Sequence, residues 1–166
     1  MKILPIKQDE KLLGKIDSLY MDIWNHSIKE RLIKHSSYEG FRGYVIISDD
    51  EEVLGFSYGY TSLSGQYYHE LLSKELEPKE YEKWLTDCFE LVELAVHPAR
   101  RKQGFGKFLV NELLRGVDNK TSLLTTQVSN HPARKMYENL GWVVVKESFL
   151  PNVDSSPYVI MGEVLK

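Results

Sequence analysis

Arg100, Arg101, Lys102, Gly104, Gly106 and Lys107 fall within one short stretch, ARRKQGFGK, that follows the apolar run LVELAV. A strand, a basic turn with small residues and then a helix make a device for holding phosphate. The first N–H groups of a helix have no partner inside it, and its dipole adds positive potential there. Gly104 and Gly106 let an anion approach closely, and each arginine can grip phosphate with two parallel hydrogen bonds. The pattern is not a Walker loop, which needs G-x-x-x-x-G-K-[ST]. Nor is it a dinucleotide fingerprint, because Lys107-Phe108-Leu109 follows Gly106 with no third glycine.

The elements that must position this turn can be read from periodicity. Lys2 to Ile6 reads as a strand, and Lys11 to Trp24 as a helix with Leu12, Ile16, Leu19, Tyr20, Ile23 and Trp24 at helical spacing. Ile28 to Ile33 makes a second short helix. Tyr44 to Ile47 and Val53 to Tyr60 form a hairpin about Asp49-Asp50-Glu51. Thr61 to Asp87 reads as an irregular insert with a helix near Pro78 to Leu85, and it is longer than an ordinary connection. The central strand ends at Val96, the helix after Gly106 runs to Leu114, and Thr121 to Thr126 is a buried strand. In NHPARKMYENLGW, Asn130 suits an N-cap, Pro132 a first-turn position and Gly141 a stop, with Ala133, Met136, Tyr137 and Leu140 on one face. Val143 to Glu147 and Tyr158 to Val164 close the chain as strands. This order predicts one α/β domain over residues 1–166, a sandwich with a mixed sheet.

Arg101-x-x-Gly104-x-Gly106 resembles the [QR]-x-x-G-x-[GA] signature of the GNAT superfamily of acyl-CoA-dependent N-acetyltransferases, and the strand before it ends L-A-V-H-P, as such strands commonly do. Asn130, Ala133, Tyr137, Gly141 and Trp142 resemble a second element of that family, N-x-x-A-x-x-x-Y-x-x-x-G-[FW]. The resemblance implies a mixed, mostly antiparallel sheet flanked by helices, with splayed central strands around Leu94 and Leu123 that receive acetyl-CoA as cosubstrate. Its pantetheine would bond the backbone of Leu94, Ala95 and Val96 as an added strand, and its diphosphate would sit on Arg101, Lys102, Gln103, Gly104, Phe105, Gly106 and Lys107. Asn130 would touch pantetheine, although capping alone also explains it.

Acetyl transfer to an amine, by direct attack in a ternary complex, needs a proton acceptor because an alkyl amine is mostly protonated at neutral pH. Glu90 and Glu93 are the candidates on the central strand, and strict alternation places them on opposite faces unless a bulge intervenes. Glu90 aligns better with the family's general-base position, whereas Glu93 lies nearer the pantetheine stretch; either could instead serve in a structural ion pair. Tyr137 resembles the family tyrosine that protonates the departing thiolate, against a packing role. Thr125 stands where the ribosomal-protein N-terminal acetylating branch carries a glutamate. The acceptor would be a primary amine of a small molecule or peptide. Tyr60, Tyr67, Tyr68 and Trp84 offer an aromatic wall for it or, alternatively, a satellite cluster. A non-catalytic acyl-CoA-binding sensor is the alternative function.

A formal net charge of −3 gives nucleic-acid binding no electrostatic support. Cys88 is the single cysteine, which excludes an internal disulfide framework and suits a reducing cytoplasm. The first residues, MKILPIKQDEKLL, lack the apolar core of a secretory leader, and no run approaches a membrane span. His69-Glu70 opens an HExxH that Ser73 breaks, and the other histidines have no ligand spacing, so no metal is expected. Whether the chain acts alone or as a homodimer stays open.

Overall fold

Alternating and helical spacings resolve into β1 (Lys2–Pro5), α1 (Glu10–Trp24), α2 (Lys29–His35), β2 (Arg42–Ile47), β3 (Val53–Thr61), α3 (Tyr67–Glu75) and α4 (Pro78–Trp84). There follow β4 (Cys88–Val96), a 3-10 turn (Pro98–Arg100), α5 (Phe105–Leu114), β5 (Thr121–Gln127), α6 (His131–Asn139), β6 (Val143–Phe149) and β7 (Tyr158–Val164). The structure is a computed structural model and describes residues 1–166. The strands form a mixed sheet in the order β1-β2-β3-β4-β5-β7-β6. Pairs β1–β2, β2–β3, β5–β7 and β6–β7 are antiparallel, and β4–β5 is parallel. Contacts divide the chain into two units: Met1–Tyr60 with Leu91–Gly116, and Thr61–Glu90 with Val117–Lys166.

In the first unit α1 buries Ile16, Leu19 and Tyr20, as its spacing predicts, and also Leu13, whereas Leu12 and Ile23 are only partly buried. They pack with Ile28 and Leu32 and with Val45, Ile47, Phe56, Tyr58 and Tyr60 of the β2–β3 hairpin. Trp24, the last residue of the helix before left-handed Asn25 (φ 64°), stays 42% exposed with its ring centroid 6.2 Å from that of Tyr20. Buried His35 lies 2.9 Å through Nδ1 from the Tyr58 hydroxyl, and burial pushes its pKa down to about 4, so it is neutral.

The N-cap residue of α2, Ile28, has no side chain to cap it, and the local Ser27 hydroxyl accepts only a long bond from the Lys29 N–H (3.3 Å). Asp17 of α1 supplies the main cap: Oδ1 accepts from the Ser27 hydroxyl at 2.8 Å and from the N–H groups of Ile28 (2.8 Å) and Lys29 (3.1 Å). Asp17→Ala is expected to remove all three bonds and cost about 1–3 kcal/mol. A thermal midpoint several degrees lower would register this, and an unchanged midpoint would refute it.

In the second unit β5 pairs with β7 along its whole length, Thr121–Val164 to Gln127–Tyr158. Its parallel pairing with β4 runs over Cys88–Thr121, Phe89–Ser122 and Glu90–Leu123. The Thr61–Asp87 segment is more regular than its sequence predicts, since both α3 and α4 form there. Leu72, Leu76, Trp84 and Leu85 make a core with Leu123, Phe149 and Ile160. Buried His69 ties the segment together, with Nδ1 2.9 Å from the Ser62 hydroxyl and Nε2 2.9 Å from that of Tyr81. The four aromatics read as a wall therefore have separate duties. Trp84 belongs to this core, while Tyr60 is buried against His35 and Tyr38 of the first unit. Tyr67 is 63% exposed beside Tyr68.

Candidate active site

β4 delivers its residues in an interrupted pattern. Val92 packs against the α1–α2 layer, and its neighbour Glu93 also points there, toward Arg31 of α2. Successive residues of a regular strand cannot share a face, so the alternation breaks between them. The premise for opposing Glu90 to Glu93 thus fails at that step. In keeping with a bulge, the Glu93 carbonyl accepts from the Ser57 hydroxyl at 2.7 Å. Leu94 and Val96 pack with Leu109 and Phe105 of α5, whereas Ala95 joins the α1–α2 core.

Beyond Val96 the chain bends sharply. Nδ1 of His97 accepts from the Ala99 N–H at 3.0 Å and caps the 3-10 turn, and the Gln103 amide donates to the Ala99 carbonyl at 3.3 Å. Lys102 and Gly104 are both left-handed, at φ 62° and 84°. A Cβ at Gly104 would meet no atom within 4 Å, so the backbone angle, not crowding, demands glycine there. As the N-cap of α5, Gly104 offers no side chain to the first-turn N–H groups. Phe108 makes the first helical bond, to the Gly104 carbonyl, which leaves the N–H groups of Phe105, Gly106 and Lys107 without a helical partner. Arg100, Arg101, Lys102 and Lys107 are exposed around this helix start. Such a turn fits an anion.

The two glutamates differ in their surroundings. Arg31 donates through Nη2 to Glu93 Oε2 and to the Tyr20 hydroxyl, both at 3.0 Å. Burial raises the Glu93 pKa, and Arg31 opposes that rise. Burial and the nearby Glu93 charge likewise raise the Tyr20 phenol. Glu90, in the second unit, is 4% exposed and its Oε1 has no hydrogen-bond partner. Burial alone lifts its carboxyl to about 8. The Arg31 pairing had no sequence signal, because the partners are 62 residues apart.

Also in the second unit, the Asn130 side chain caps α6 by accepting from the Ala133 N–H at 3.3 Å. Tyr137 is 5% exposed on the helix face its spacing predicts, and Gly141 (φ 100°) ends the helix. Cys88 is fully buried and its thiol is raised by burial, so it is no nucleophile. No group of three or more His, Cys, Asp or Glu side chains gathers so as to hold a metal ion.

The sequence profile of the acetyltransferase (GNAT) family matches residues 10–142. The chain belongs to this family. Among solved structures with the same fold as this GNAT acetyltransferase is Arabidopsis thaliana NAA60 in complex with acetyl-CoA, at 16% identity and a TM-score of 0.72, covering 99% of each chain. An aminoglycoside 6'-N-acetyltransferase complexed with coenzyme A shares 18% identity at a TM-score of 0.71, covering 100% of this chain and 98% of its own. The ribosomal-protein-S18-alanine N-acetyltransferase from Escherichia coli shares 17% at 0.68, over 99% and 95%. No curated protein matches by sequence. No helix of this acetyltransferase is long and apolar enough to cross a membrane.

Proposed function

We propose that this acetyltransferase moves an acetyl group from acetyl-CoA to a primary amine by direct attack in a ternary complex. The observation that carries the reading is the exposed basic turn at the start of α5, with two left-handed residues and three N–H groups free of helical partners. Arg101, Lys102, Gln103, Gly104, Phe105, Gly106 and Lys107 would hold the diphosphate there, and the backbone of Leu94, Ala95 and Val96, with Asn130, would hold pantetheine.

The residues divide the proton traffic. As the amine nitrogen bonds the acetyl carbon and the C–S bond breaks, Glu90 takes a proton from the amine, and the Tyr137 phenol gives one to the sulfur. A carboxyl at about 8 is well matched to an alkyl amine, and its Oε1, which has no hydrogen-bond partner, is available to accept. Glu93, already held by Arg31, would position the α2 layer rather than carry protons.

Two measurements test this reading. Calorimetry should find saturable acetyl-CoA binding, weakened about tenfold or more in Arg101→Ala through loss of a charge-assisted bond, and weakened further by salt. Thiol release should follow when acetyl-CoA is mixed with at least one of an aminoglycoside, a polyamine, a simple alkylamine or a peptide with a free N-terminus. Binding without release across the whole panel would overturn catalysis in favour of a non-catalytic acyl-CoA-binding module. No binding at all would overturn both.

A further inference from the structure

The stop of α6 does more than end a helix. With Leu140 as the C-cap, the Gly141 N–H donates to the Glu138 carbonyl and the Trp142 N–H to the Tyr137 carbonyl, both at 3.0 Å. These two bonds define a Schellman motif, whose left-handed glycine reverses the chain and commonly brings the residue after it onto the one five back. Here those residues are Trp142 and Tyr137, with ring centroids 5.5 Å apart and planes at 59°. Trp142 is 2% exposed, yet its indole Nε1 has no hydrogen-bond partner. A buried donor left unmade is costly, so the large ring is held for its contact and not for its N–H.

We infer that Trp142 is a positioning residue for Tyr137: the helix-stop motif clamps the phenol from its own carbonyl and from its ring face, fixing the direction in which the hydroxyl presents its proton. The inference rests on the acid role proposed above for Tyr137. A tyrosine side chain has two rotatable bonds before its ring, and turnover is sensitive to displacements on the order of 1 Å at a reacting group. Of the helix residues, Tyr137 is the one at the third position from the cap, where the motif can reach it.

The test is a double-mutant cycle on thiol release from acetyl-CoA, with the panel amine that the intact protein acetylates. Trp142→Leu is expected to lower kcat about tenfold or more while KM for acetyl-CoA is unchanged. Trp142→Phe keeps a ring on Tyr137 and drops the unpartnered donor, so it should retain kcat within about threefold. In the Tyr137→Phe background, Trp142→Leu should have almost no further effect on kcat. Gly141→Ala keeps both side chains but strains the left-handed stop that sets their contact, so it should give the same signature at smaller size should the leucine variant not fold. Equal losses from Trp142→Leu with and without the phenol, or an undiminished kcat in both Trp142→Leu and Gly141→Ala, would overturn the positioning role alone. Full activity in Tyr137→Phe would overturn the acid role and this inference with it.

Discussion

Glu90→Gln is expected to abolish most turnover while making the protein more stable at alkaline pH. The two effects have one cause. Glu90 is buried, its Oε1 is unpartnered, and its carboxyl is raised from an ordinary value near 4.5 to about 8. Because the folded chain holds this proton more tightly than the unfolded chain, the stabilising contribution is full below about pH 4.5. It is lost as pH rises through about 8, where a buried charge must form. Glutamine mimics the neutral carboxyl and cannot ionise. The melting temperature of Glu90→Gln relative to wild type should therefore climb between about pH 5 and about pH 8.5. Turnover runs the other way, since the base must be ionised to accept a proton. For the wild type kcat/KM should rise with pH and level off above about 8, whereas the glutamine variant should lose about 10²–10⁴-fold and that limb with it. A limb that survives in Glu90→Gln would belong to the acceptor amine instead. Equal melting curves at both pH values would show that Glu90 does not carry a raised pKa.

Tyr137→Phe is expected to keep acetyl-CoA affinity and lose about 10²–10⁴-fold in turnover. The substitution removes one hydroxyl from a ring that is 5% exposed and packed on Trp142, so fold and packing should persist. A loss confined to kcat identifies an interaction made only as the thiolate leaves, whereas a matching rise in KM would point to ground-state binding. An acyl thioester whose thiol is strongly acidic needs no proton on departure, and should be nearly indifferent to the change. If phenylalanine turned over at the wild-type rate with acetyl-CoA, Tyr137 would be a packing residue only.

Local chemistry makes much of this protein legible in its sequence. The turn from Val96 into Phe105, the Asn130 cap and the Gly141 stop depend on interactions within a few residues, so motif and structure coincide there. The same holds for α1, whose buried face follows helical spacing. The Thr61–Asp87 segment shows where such reading weakens. Its first half reads as irregular, yet Tyr67–Glu75 is helical because His69 and Leu72 find partners inside the unit. Tertiary packing there overrides weak local preference.

The amino-acid sequence by itself determined the family, the order of elements outside Thr61–Asp87, the anion-fitting turn and the candidate proton donor, because each is encoded by neighbours in the chain. Only the tertiary structure separated Glu90 from Glu93. Both are glutamates three residues apart on one strand, and their difference comes from distant groups: Arg31 reaches one, while nothing reaches Oε1 of the other. Burial and long-range partners set the energy of a charge, and no spacing along a strand can carry that information.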